Sequence, residues 1–389
     1  MTSGPLQAAG IVLGGLLAVA AAIGVGRFVY TPILPFMEAS LGLTKAQGGV
    51  IASANYLGYL LGAFAASKPA LPGGRRVWLL ATLAVSAATT GIMGFSSSMT
   101  AFMGLRFIGG FASAFVLIFA SAVVMDRLVA ARRSGLSTLH FAGVGCGIAV
   151  SAALVSGLAV MGYDWRTFWL ASGAIALLAL GATARLLRSD LQTTPPAVEE
   201  QDSRIDRRLI ALIASYGLVG FGYIITATFI ATLVRTSPEI SHIEPVIWLV
   251  VGLSAAPSVP LWIWIGQRWG NDRSLALACL VEAVGVAMSV LSTSTLVVIV
   301  SAALLGGTFV GITAIGLVHA RHLSSGDPRR SIAFMTAAFG AGQIVGPTFA
   351  GYAYALGNSF LVPSLVAAAA LLLAASLAAG TRIQHRSTI

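Results

Sequence analysis

The chain has 389 residues, of which 9% are charged and 57% hydrophobic, with a formal net charge of +10 and a mean hydropathy of +0.90. A soluble domain keeps about a quarter of its residues charged so that its surface can face water, so this composition excludes a water-soluble globular protein and requires lipid as the solvent. Cys146 and Cys279 both lie in apolar segments without metal-ligand spacing, which excludes a disulfide framework and reads as small core residues.

The first apolar run is far longer than the core of a signal peptide and follows no basic start or small-residue cleavage site, so it is expected to stay in the protein. A spanning helix needs about 20 mostly apolar residues. Such segments follow at 9–37, 46–67, 77–96, 99–125, 135–161, 167–187, 208–235, 245–265, 274–292, 295–319, 331–357 and 359–380. The expected fold is an all-α membrane protein of about twelve transmembrane helices. Pro32 and Pro35 predict a kink toward the end of the first segment. Very short polar turns, Ser96 to Ser98 and Ser292 to Ser294, make the third and fourth segments, and the ninth and tenth, antiparallel neighbours. Polar residues from Arg188 to Arg208, including Thr193, Thr194, Pro195 and Pro196, read as a linker. It divides the chain into a six-helix half at 1–190, a cytoplasmic linker at 191–207 and a second six-helix half at 208–389.

Lys and Arg placement gives the orientation. Eighteen fall on one side: Lys68, Arg75, Arg76, Arg127, Arg132, Arg133, Arg185, Arg188, Arg204, Arg207, Arg208, Arg268, Arg273, Arg321, Arg329, Arg330, Arg382 and Arg386. The other side holds three, Lys45, Arg166 and Arg235. The termini are therefore expected in the cytoplasm of a bacterial inner membrane, and the positive charge reflects topology rather than nucleic-acid binding.

The halves repeat. Gly24-Val25-Gly26-Arg27 falls on Gly220-Phe221-Gly222-Tyr223 at an offset of 196 residues, Gly73 and Arg76 on Gly270 and Arg273 at 197, Gly109-Gly110 on Gly306-Gly307 at 197, and Phe141 on Phe339 at 198. Both halves keep one orientation, so the repeat is parallel, about an axis along the membrane normal.

Two six-helix bundles, a polar central linker and a parallel repeat resemble the major facilitator superfamily (MFS). Leu105-Arg106 before Gly109-Gly110 resembles its fourth-helix arginine motif, and Gly340-Ala341-Gly342-Gln343-Ile344-Val345-Gly346-Pro347 its glycine-proline motif. The second–third loop keeps the basic Arg75 and Arg76 but lacks the family's Asp, which leaves its gating salt bridge open; Gly270-Asn271-Asp272-Arg273 in the other half has an acid. More narrowly, Gly24-Val25-Gly26-Arg27-Phe28, Gly220-Phe221-Gly222-Tyr223-Ile224-Ile225 and Leu305-Gly306-Gly307-Thr308-Phe309-Val310-Gly311-Ile312-Thr313-Ala314 resemble the YbfB/YjiJ-type branch. The resemblance implies a secondary active transporter working by alternating access around a site between the halves, with a small solute and a co-transported proton as partners. No cofactor, metal or partner subunit is expected.

Arg27 is the most informative residue, because a charge within a span is costly and usually faces a partner or a watery cavity. A cavity-facing guanidinium binds a carboxylate, sulfonate or phosphate bidentately; an interfacial, snorkelling position is the alternative. The superfamily's organophosphate antiporters, which this helix resembles, place an arginine eight residues before a proline, as Arg27 stands before Pro35. Where they add a second basic residue on the seventh helix this chain has Tyr223, which fits a monoanion better than a phosphate dianion. Arg27 with Tyr30, and their repeat mates Tyr223 with Thr226, form two hydrogen-bonding stripes; interfacial tyrosines and a back-bonded threonine are the alternative. Asn55 and Tyr59, one turn apart, and Gln343 complete the candidate substrate-binding set; Gln343 sits among glycines that permit close helix approach, and a bond across the helix interface is its alternative role.

Arg106, Asp272 and Arg273 belong by resemblance to coupling or structural motifs. His140 and His319 read as helix-end polar residues, with proton carriers as the alternative, and Glu282, the one carboxylate at mid-span, as structural or helix-pairing. An exporter of neutral or cationic compounds is the alternative function, against which the lone arginine and the missing cavity acid count. A sensor would append a soluble domain. An enzyme would cluster catalytic side chains, and no HExxH, phosphate loop or Ser-His-Asp set is present.

Overall fold

The computed structural model describes residues 5–67, 74–188, 206–324 and 328–381, and all regular structure among them is helical. The helices are α1 (Pro5–Val19), α2 (Tyr30–Leu41), α3 (Lys45–Ala66), α4 (Arg75–Ile92), α5 (Met99–Ala130), α6 (Ala142–Val160), α7 (Trp165–Leu186), α8 (Arg207–Thr236), α9 (Glu244–Ala255), α10 (Ser258–Trp269), α11 (Asn271–Leu291), α12 (Thr295–Leu323), α13 (Pro328–Gly357) and α14 (Leu361–Ala379). Eleven spans are long and apolar enough to cross a bilayer. The pair α9–α10, bent by 42°, makes a twelfth. Pro257 stands in that bend and Pro260 just beyond it, where missing N–H groups interrupt the ladder. The linker expected at 191–207 lies outside the described residues but for its last two.

The first span, Leu6–Leu41, is broken earlier than its prolines predict. Residues Ala20–Val25 form a π-helix, and Gly26 to Val29 form a turn before α2. Pro32 and Pro35 sit inside the regular α2. The prolines act upstream of themselves, because a proline ring clashes with the carbonyl one turn earlier, and Phe28 stands in that position relative to Pro32. The glycines then let the loosened stretch pack closely: a Cβ on Gly24 would lie 2.5 Å from the Gly147 Cα.

Two bundles result, and their seams follow the repeat. A Cβ on Gly110 would meet the Asn55 carbonyl oxygen at 2.0 Å, and one on Gly306 the Val251 oxygen at 2.2 Å; Gly306 and Val251 each stand 196 residues after Gly110 and Asn55, so the structure matches Gly110 to Gly306, one residue from the 197 offset expected for the glycine pair. Across the bundles, α13 packs on α3, α6 on α9 and α2 on α8. The Thr31 hydroxyl donates to the Ala227 carbonyl at 2.7 Å. These residues are themselves repeat mates, so the axis relating the halves passes close to this bond.

At the end of the bundle opposite the basic loops, the seam is closed by polar contacts. Glu38 pairs with Lys45 at 2.5 Å and accepts a hydrogen bond from Thr232 of the other bundle at 3.2 Å. Ser53 donates to the Ile344 carbonyl at 2.6 Å, and Arg235 lies 3.8 Å over the Phe36 ring. Toward the basic end, the short 3₁₀ stretch Ser134–Phe141 of the first bundle packs on α10 of the second. There Arg75 forms an ion pair with Asp126 at the end of α5, so an acid from the fourth span stands in for the one missing from the second–third loop.

Close backbone crossing at α6–α9 gives a testable contrast. A Cβ on Gly145 would lie 2.2 Å from the Ala256 nitrogen, whereas Gly157 on the same helix has nothing within 4 Å. Gly145→Ala is expected to force the bundles apart and cost about 1–3 kcal/mol. Gly157→Ala should be neutral or stabilising by up to about 1 kcal/mol, from helix propensity. Melting curves of the two purified variants check the difference.

Candidate functional site

On a rise of about 1.5 Å per residue, Arg27 lies roughly 21 Å from the Leu41 end of its span and roughly 32 Å from the Leu6 end. It is therefore deep in the bilayer rather than at an interface. The residue is 5% exposed. Arg27 takes part in neither the Lys45–Glu38 nor the Arg75–Asp126 ion pair. Aromatic rings take the place of a counter-ion. Its Cζ lies 4.5 Å from the Tyr56 ring centroid, 4.4 Å from Tyr59 and 5.4 Å from Phe28. Such contacts hold the cation over the π-faces of the rings. Nε and Nη2 are buried with no hydrogen-bond partner.

Arg106 fixes where Arg27 stands. The break in the first span frees backbone carbonyls that a regular helix would satisfy. The Arg106 guanidinium donates to two of them, Gly26 and Arg27, each at 2.9 Å, and its Cζ lies 4.9 Å from the Tyr30 ring. Its own carbonyl accepts from Asn55 Nδ2 at 2.8 Å, while the Tyr30 hydroxyl donates to the Gly48 carbonyl at 2.8 Å. Arg106, Asn55 and Tyr30 thus form a buried bracket inside the first bundle that carries Arg27 on its outer edge.

The second bundle faces this edge with Tyr223. Arg27 and Tyr223 are repeat mates, each four residues before its partner in the Thr31–Ala227 bond on its own helix, so the axis passes between them. The Tyr223 ring is stacked near-parallel on Phe309 at 5.3 Å and Phe339 at 5.7 Å. Its hydroxyl accepts from Gln343 Nε2, which leaves Gln343 Oε1 buried without a partner. Phe28 reaches over the seam to Phe309 at 5.8 Å.

Of the residues selected from the sequence, Arg27, Tyr59, Tyr223 and Gln343 come together at the seam. Asn55 and Tyr30 are turned into the first bundle. Thr226 is buried one turn beyond Tyr223, with no partner for its hydroxyl. Glu282 is fully buried in the second bundle, where Thr308 donates to it at 3.3 Å. His140 contacts Ser121 at 2.9 Å and the Ser137 carbonyl at 2.5 Å, and His319 contacts Thr381 at 2.8 Å. Asp272 and Arg273 lie in the first turn of α11, where an acid favours the helix dipole. Tyr56, Phe309 and Phe339 also line the seam and are not among the candidate substrate-binding residues. Tyr56 shares a face with Tyr59 at a spacing of three, the one sequence signal that points to it.

The same architecture occurs in solved structures. A single-residue variant of the nucleoside transporter NupG superposes with a TM-score of 0.73 at 13% identity, covering 96% of this chain and all of that one. NupG itself superposes at 0.71 and 15% identity, covering 96% and 98%. At these identities the likeness shows the fold, an MFS transporter fold. The profile of the family described as "Uncharacterised MFS-type transporter YbfB" matches residues 19–379. This chain belongs to that YbfB-type family of MFS transporters.

Proposed function

We propose that this transporter moves a small organic monoanion, with a carboxylate or sulfonate group, by alternating access around the site between Arg27 and Tyr223. The carrying observation is the buried Arg27 guanidinium, unpaired by any carboxylate and with Nε and Nη2 unpartnered. An uncompensated charge in a span costs about 2.5–3.5 kcal/mol on insertion scales, and an anion offsets that cost on arrival. The seam closed at Glu38 and Thr232 supports a state shut at the end opposite the basic loops. In our reading the basic end faces the cytoplasm of a bacterial inner membrane, with both termini there. The halves are 1–190 and 208–389, the chain works as a monomer, and a co-transported proton is the coupling ion that the family resemblance implies.

The reading is tested by a thermal-shift screen of purified protein, followed by uptake into proteoliposomes, since a bound ligand stabilises the native state. Carboxylates or sulfonates are expected to raise the melting temperature and to be transported. Stabilisation by cationic compounds alone would overturn the anion reading. A second reading, a neutral nucleoside-like solute, draws on the Tyr223 stack and on the likeness to NupG. Uptake of uncharged nucleosides with no response to carboxylates would establish it instead.

A further inference from the structure

Resting on the anion reading, we propose that the solute is a flat, unsaturated ring bearing a carboxylate and, on its far side, an N–H or O–H donor. Three features of the seam carry this. The first is which guanidinium atoms are free. Nε and Nη2 of Arg27 form one edge of the fork, two parallel donors spaced for the two oxygens of a single carboxylate. Tyr56 and Tyr59 hold the cation over their ring faces, and an anion is received at the unpartnered Nε–Nη2 edge.

The second feature is shape. Beyond that edge the seam is walled by rings, Phe28 from the first bundle and Tyr223, Phe309 and Phe339 from the second. The Tyr223, Phe309 and Phe339 rings stack on one another at 5.3 and 5.7 Å, so what they offer a solute is ring edges, against which the π-face of a flat unsaturated ring packs edge-to-face. A saturated ring of the same formula is puckered and has no π-face to offer.

The third is an unfilled hydrogen bond. Gln343 spends its amide nitrogen on Tyr223, so its Oε1 has no partner although the residue is 0% exposed. A buried acceptor left unpaired is costly, and a solute N–H or O–H satisfies it. Because the Tyr223 hydroxyl accepts from Gln343, its own proton remains free to donate back to the same solute group. Arg27 and the Tyr223–Gln343 pair stand on opposite bundles, so one solute carrying both groups would bridge the halves.

Four probes separate the parts of this proposal when titrated calorimetrically into the purified full chain: benzoate, para-hydroxybenzoate, para-methoxybenzoate and cyclohexanecarboxylate. Benzoate is expected to bind about three- to tenfold tighter than cyclohexanecarboxylate, and para-hydroxybenzoate about tenfold tighter than its methoxy analogue. Phe309→Leu should erase the first preference, and Gln343→Met the second, each leaving the other in place. Equal binding of the flat and saturated acids, or a preference for the methoxy compound, would overturn the inference while leaving the anion reading intact. Binding of uncharged benzamide as tightly as benzoate would overturn the anion reading itself, and this inference with it. Should Gln343→Met fail to fold, the hydroxy-against-methoxy comparison on the unaltered protein still decides the donor.

Discussion

Replacing Arg27 with methionine is expected to abolish anion binding and transport while leaving a folded protein. The guanidinium makes no hydrogen bond through Nε or Nη2, and its bracket, Arg106 with Gly26 and Arg27, is built from backbone carbonyls that the substitution keeps. What the apo protein loses is contact with Tyr56, Tyr59 and Phe28. It is relieved at the same time of an unpaired buried charge, so the melting temperature should move by only a few degrees. What the complex loses is a bidentate, charge-assisted contact away from bulk water, about 3 kcal/mol or more, equivalent to a hundredfold or greater loss of affinity. Arg27→Lys should recover little, because an ammonium is a point charge and cannot present two parallel donors. Full transport by Arg27→Met in proteoliposomes would remove Arg27 from the binding role.

How much of this was legible in the sequence differs between fold and site. Spans, repeat and short antiparallel turns follow from long-range hydrophobicity and from an offset that survives across helices. Both are insensitive to local backbone detail. The depth of Arg27 was also legible, because the apolar run continues past it to Pro35 and Phe36. Facing was not. Asn55, Tyr56 and Tyr59 lie within one helical turn of one another, and spacing alone allows either Asn55 with Tyr59 or Tyr56 with Tyr59 to share the seam. The choice is made by Gly110, whose missing side chain brings α5 against the Asn55 backbone and draws the Asn55 amide onto the Arg106 carbonyl. Tyr30 moved for a related reason. The π-helical stretch and the turn after it rotate the rest of the first span, so residues three apart at 27 and 30 do not share the face that an unbroken helix would give them. The aromatic stack was hidden because Phe309 and Phe339 are ordinary apolar residues in apolar segments.

The repeat also explains why the site is asymmetric where the scaffold is not. Thr31 bonds its own repeat mate, and small residues make the α6–α9 crossing close enough for backbones to meet. Motion about such an axis requires little from the seam beyond these contacts, which leaves positions 27 and 223 free to diverge. One carries charge and the other a hydrogen-bonding phenol, and a solute that engages both is held by both halves at once. That is the condition under which binding energy can bias one arrangement of the bundles over another.

Arg106→Leu is expected to be the most damaging single change in the first bundle. It leaves the Gly26 and Arg27 carbonyls without donors in a buried setting, at about 1–3 kcal/mol each, and removes the contact with Tyr30. A stability loss of about 2–6 kcal/mol follows from the carbonyls alone, and hydrogen exchange should rise at residues 20–30, where the ladder is already broken. The consequence for the site separates two roles. If Arg106 serves coupling alone, Arg106→Gln, which still offers an amide donor to one carbonyl, binds anions with unchanged affinity and fails only in driven uptake. If it positions Arg27, the same variant loses affinity at equilibrium, about tenfold or more, because misplacing the guanidinium by a fraction of an ångström spoils bidentate geometry. The second outcome is expected, since the Arg106 guanidinium is engaged with the backbone of Gly26 and Arg27 itself. Calorimetric titration of Arg106→Gln with benzoate, compared with proteoliposome uptake by the same preparation, decides between them.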